Sequence, residues 1–158
     1  MRLLKIILLI FCLSLESCGY NSIYSQNKNG ENINFGFTEL KIIGDNDLVK
    51  DLERSLERYK NLSGKTKTFT IDISTGSTRE TVLKDTAGNA TIYSLFVEAT
   101  LTVGEFGKKE KKRRRFLKKF RYNNDSNKFN LKKYESSIKR NLIVEISRDI
   151  VQYLSYIK

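Results

Sequence analysis

The 158-residue chain has no histidine, no proline and no tryptophan, and only two cysteines, Cys12 and Cys18. Without histidine and without a cysteine pair in the body of the chain, the usual zinc ligand sets cannot be assembled, which argues against a metal centre. A serine or cysteine nucleophile would lack its commonest base, leaving only lysine or carboxylate to serve. No GxSxG or P-loop spacing occurs either. The reading is of a protein that is not an enzyme, with no catalytic residue, no metal and no cofactor. Long apolar runs are also missing: a membrane-crossing helix needs about 20 apolar residues, and the main run here extends only from Ile6 to Leu13.

What is present fits one domain. Hydrophobic residues make up 39% of the chain and charged residues 30%, enough apolar material for one core and too little charge imbalance for wholesale disorder. The first segment reads as an address: Arg2 and Lys5 precede the apolar run, which gives way to Ser14, Glu16 and Ser17 just before Cys18. That order is a signal peptide over 1–17. Cys12 would leave with it, so the exported chain would keep one thiol, at its first position. An odd cysteine there needs a purpose. From 18 to 34 the chain is rich in Asn, Ser, Gly and Gln and reads as a tether.

Residues 35–158 carry the periodicities of an α+β domain. Phe35 to Ile43 has strand composition with a slip near Glu39 that predicts a bulge or an edge position. Asp45-Asn46-Asp47 offers an N-cap, and Leu48, Leu52, Leu56 and Tyr59 recur at helical spacing, with Gly64 as the expected stop. Two strands follow with period-two alternation, one around Phe69, Ile71 and Ile73, the next from Tyr93 to Val103, separated by a loop at Lys84 to Asn89. A turn at Gly104 to Gly107 leads to a fourth strand, Lys111 to Tyr122. Leu131, Tyr134, Ile138, Leu142, Ile146, Ile150, Leu154 and Ile157 then mark a long final helix entered through Asn127 or Asn130. The order β-α-β-β-β-α predicts a two-layer sandwich, a four-stranded sheet with both helices on one face.

The net charge is +11, and loss of Arg2, Lys5 and Glu16 with the leader would leave +10. The excess concentrates in KKEKKRRRFLKKFR, Lys108 to Arg121, where ten of fourteen positions are Lys or Arg. Such density favours an anionic partner. Three readings stand: a solvated edge strand guarded by its cations, a nucleic-acid surface, or a site for an anionic glycolipid whose phosphates suit Arg and Lys. Export argues against nucleic acid. On the third reading the candidate ligand residues are Lys108, Lys109, Lys111, Lys112, Arg113, Arg114, Arg115 and Lys118, with Phe116, Leu117, Phe120 and Tyr122 among them.

Taken together these pieces resemble the lipopolysaccharide-assembly lipoproteins, the LptE family. Leu15-Glu16-Ser17-Cys18 resembles a bacterial lipobox, with Glu16 departing from the usual uncharged residue. The likeness continues through Ser17-Cys18-Gly19-Tyr20 with Tyr24, the helix DLVKDLERSLER, the strand TIYSLFVEATLTV and the tail from Arg121 to Leu154 with Arg148-Asp149. The proline the family often carries just after the cysteine is absent from Tyr20-Asn21-Ser22-Ile23-Tyr24. The resemblance implies lipidation of Cys18, anchoring in the outer membrane on its periplasmic side, and a place inside the lumen of the LptD β-barrel. There the chain would plug the barrel, assist its assembly and bind lipopolysaccharide, with no nucleic acid as partner. The second reading is another periplasm-facing lipoprotein, such as a secretin pilotin.

Overall fold

In the computed structural model, residues 34–60, 64 and 67–157 are described. The expected leader, Cys18 and the expected tether, up to residue 33, lie outside them. The described chain runs β1 (Phe35–Gly44), α1 (Asn46–Leu56), a 3-10 turn (Glu57–Tyr59), β2 (Lys67–Lys84), β3 (Ala90–Glu105), β4 (Lys111–Asn123) and α2 (Lys128–Tyr156). The four strands form one mixed sheet in the order β1-β2-β3-β4. β1 and β2 pair in parallel across the α1 crossover, and the other two pairs are antiparallel. This is the expected α+β sandwich.

Alternation decides which side of the sheet is covered. Phe69, Ile71 and Ile73 of β2, and Leu95, Val97, Ala99, Leu101 and Val103 of β3, are buried, while their neighbours point to the opposite face. Against them pack Leu48, Leu52 and Leu56 from α1 and Leu142, Ile143, Ile146, Ile150 and Leu154 from α2. Phe35, Phe37, Tyr59 and Phe69 stack at one end of this core, with ring centroids 5.7 to 6.2 Å apart. Truncating a leucine in such a core to alanine typically costs about 2–5 kcal/mol.

Local chemistry fixes the joints. Asp45 caps α1, its carboxylate accepting from the Asp47 N–H, and Asn127 caps α2 by accepting from Phe129 and Asn130. The bulge near Glu39 is present as a register shift between Phe37 and Glu39. Two expectations need correction. α1 stops at Leu56 and tightens into a 3-10 turn, so the helix is already finished before Gly64, which sits in a separate left-handed turn at φ +73°. β2 extends to Lys84, ten residues past Ser74, because Thr78, Thr81 and Val82 suit a strand even though they are exposed. Tyr134 is 49% exposed: it lies at the rim of the helix face, edge-on to Tyr122, and not in the core.

Candidate functional site

β4 is an edge strand, and its period-two pleat sorts the basic run onto two sides. Lys111, Arg113 and Arg115 pair with Gly104, Thr102 and Thr100, which share the uncovered face of the sheet. Lys112, Arg114 and Lys118 pair with Val103, Leu101 and Val97 and so belong to the helix side. Lys108 and Lys109 precede the strand, in the β3–β4 turn. The eight candidate cations are thus brought onto one strand and its turn, but they do not converge on one surface.

The helix-side cations serve the fold. Arg114 lies over the rings of Tyr153 and Phe116, at 4.5 and 5.4 Å from their centroids, and Lys118 pairs with Asp149 of α2 at 2.8 Å. Together they tie the edge strand to the last third of α2. Lys112 lies at the sheet end with Phe69, Val103 and Ile157. In the turn, Lys108 bonds Glu105 at 2.7 Å, and that hydrogen bond holds the Glu105 carboxyl below its usual range.

The open face is the better ligand surface. Lys111, Arg113, Arg115, Lys119 and Arg121 line its β4 margin, with Leu117, 50% exposed, in their midst. Two carboxylates temper this charge: Glu98 accepts from Arg115 Nε at 3.0 Å and also from its Nη2, and Asp72 stands 4.0 Å from Lys111. Among the described residues, Arg113, Lys119 and Arg121 have no acidic partner. Arg113 shares a shallow hollow of ≈ 190 Å³ with Lys41, Ile43, Asp72 and the hydroxyl residues Ser74, Thr100 and Thr102. Two cations above a floor of hydroxyls can hold a phosphate or sugar acid by charge-assisted and neutral hydrogen bonds. Asp72 would demand that such a ligand also carry a donor.

Lys41, Lys119 and Arg121 were not among the candidates drawn from the sequence. Lys119 and Arg121 were reachable by carrying β4 alternation to the strand's end. Lys41 was not, because only the parallel register Lys41↔Asp72 and the following pair Asp72↔Thr102 place β1 beside this hollow. Among the described residues, no group of three or more Cys, Asp or Glu side chains gathers to hold a metal.

No protein-family model and no curated protein sequence matches the chain. Solved structures do resemble it. The rare lipoprotein B from Shewanella oneidensis aligns with a TM-score of 0.58 at 14% identity, over 75% of this chain and 94% of that one. A minor lipoprotein from Acinetobacter baumannii aligns with a TM-score of 0.52 at 18% identity, over 75% of this chain and 92% of that one. The described domain therefore has the fold of bacterial lipoproteins of the rare lipoprotein B type.

Proposed function

We propose that the chain is an outer-membrane lipoprotein, anchored through Cys18, that plugs an LptD-type β-barrel, assists its assembly and binds lipopolysaccharide on its way to the outer leaflet. The observation that carries this reading is the coupling of a lipobox-like leader, Leu15 to Cys18, to a β-α-β-β-β-α sandwich shared with bacterial lipoproteins. The fold shared with rare lipoprotein B supports the same reading as the sequence resemblance. The physics is compatible. A small sandwich with one hydroxyl-rich, cationic face suits the polar lumen of a large barrel, and phosphates on lipid A would find Arg113 and Lys41 in the hollow described above. The role is one of binding and chaperoning, and no covalent bond is made or broken.

Depletion of the chain in its own cells tests the reading. The expected result is loss of the folded, heat-modifiable form of the barrel and retention of lipopolysaccharide inside the envelope. Normal barrel assembly with mislocalised secretin multimers would instead support the pilotin reading.

A further inference from the structure

The two ends of the sandwich differ in chemistry, and the difference lies where the tether joins. The Asn34 carbonyl accepts from the Lys67 N–H at 3.1 Å, and in the next residue the Thr68 carbonyl accepts from the Phe106 N–H at 2.9 Å. The entry of the chain into the domain and the β3–β4 turn are therefore at one end of the sheet, about two strand spacings, ~10 Å, apart. Phe106 is 72% exposed at the tip of that turn, next to Gly107 at φ +84°. Lys108, Lys109, Lys111 and Lys112 follow within six residues; Lys108 bonds Glu105, which also attracts Lys112, and Lys111 stands 4.0 Å from Asp72, so the lysines outnumber the acids around them. Glu110 is the one other acid in the turn. At the far end the turns 85–89 and 123–127 carry mainly Asn, Asp, Ser, Thr and Gly; Lys84 and Lys128 flank them singly, Lys128 is bonded back to Asn124 and Asp125, and the exposed Phe129 has no cluster of lysines around it in sequence.

One exposed aromatic means little alone. An aromatic at a turn tip, ringed by lysines and set beside the residue from which the tether departs, is a different arrangement. We propose that this end of the sandwich docks on an anionic phospholipid head-group surface, with Phe106 entering the interface and the surrounding lysines meeting the phosphates. The lysine stems reach past the ring while the ammonium groups stay in the head-group layer. This proposal rests on the anchoring of Cys18. Fifteen residues lie between Cys18 and Asn34, a reach of at most about 58 Å, so the acyl chains would hold the turn at high local concentration over the bilayer. A patch too weak to bind by itself is then sufficient. Docking by this end would orient the sheet and present the open face of β4 along the membrane normal.

The chain has no tryptophan, so Phe106→Trp supplies a single reporter at the tip and Thr86→Trp supplies one at the far end. Each acylated protein is reconstituted into vesicles of phosphatidylcholine alone or mixed with phosphatidylglycerol, free of lipopolysaccharide. The indole at position 106 should shift its emission to shorter wavelength on the anionic vesicles, and bromine-labelled acyl chains should quench it. Raised salt, or Lys109→Gln with Lys111→Gln, should return it toward the emission of a water-exposed indole. The indole at position 86 should stay water-exposed throughout. An acylated protein whose 106 reporter matches the 86 reporter on anionic vesicles overturns the docking, as does a shift that is equal on phosphatidylcholine alone. The mass of the N-terminal peptide reports the acyl chains independently, and an unacylated chain removes the tether and this proposal with it.

Discussion

The hydroxyl of Tyr122 donates to Glu135 Oε1 at 2.6 Å, joining the end of β4 to the second turn of α2. Arg79 Nη1 donates to the same oxygen at 2.9 Å and lies over the Tyr93 ring at 4.7 Å, so the exposed half of β2 is drawn into the contact. Burial alone would raise the Glu135 pKa, but the bonds from Tyr122 and Arg79 and the guanidinium charge outweigh it and hold the carboxyl below its ordinary value. Tyr122 moves the other way, pushed up first by burial and then by its bond to Glu135.

Linkage turns these directions into a stability profile. A depressed carboxyl contributes stability that is full above its unfolded pKa, about 4.3, and is lost as pH falls through the folded value. A raised phenol contributes stability that is full below about pH 10 and is lost as pH climbs through the folded value. Denaturant melts across pH should therefore show Glu135→Gln levelling part of the acid loss below about pH 4.3. Tyr122→Phe should level part of the alkaline loss above about pH 10. Parallel curves for variant and parent would remove the pair from the account.

Gly44 closes β1 at φ +131°, and a Cβ there would stand 2.0 Å from the Thr75 carbonyl oxygen. The paired residue Thr75 is buried and its hydroxyl donates to the Ile43 carbonyl. Neither the torsion nor the backbone neighbour can yield cheaply, so Gly44→Ala should destabilise the domain by more than about 1 kcal/mol. An unchanged denaturation midpoint would show that β1 ends differently in solution.

Charge reversal separates the two sides of β4. Arg113→Glu with Arg121→Glu should weaken lipopolysaccharide binding tenfold or more, about 1.4 kcal/mol or greater, with a smaller penalty at high salt. Lys118→Gln should leave binding near the parent value and lower stability instead, because it loses only its bond to Asp149. Equal binding by all of these would return the basic run to the role of a guarded edge.

Labelled fatty acid should be incorporated into the parent chain and not into Cys18→Ala. Incorporation that survives the substitution would end the reading of Leu15 to Cys18 as a lipobox.

Much of this molecule was legible in its sequence because one side of the sheet is dry and the other wet. The alternation of Leu95 to Val103 fixed both the strand and its face, and the spacing from Leu131 to Leu154 fixed the final helix. Ile143 and Val151 escaped that spacing because α2 packs over both β3 and β4 and against α1, burying a wider stripe than a single i, i+3, i+4 series covers. The exposed half of β2 was missed for the opposite reason. Thr78 to Lys84 is exposed and is held by pairing with β3 and by the reach of Arg79 to Glu135 and Tyr93, all of which depend on residues far along the chain. The site was half legible. The cations were plain as a run, but their division between fold and open face is a property of the register between β3 and β4, and the contribution of Lys41 depends on two further pairings.

Purification through a C-terminal tag from detergent-solubilised native membranes, with partners identified by mass, tests the central claim most directly. The account predicts a stoichiometric complex with one large outer-membrane β-barrel of the LptD type. Recovery of the chain alone, or with a secretin, would contradict it.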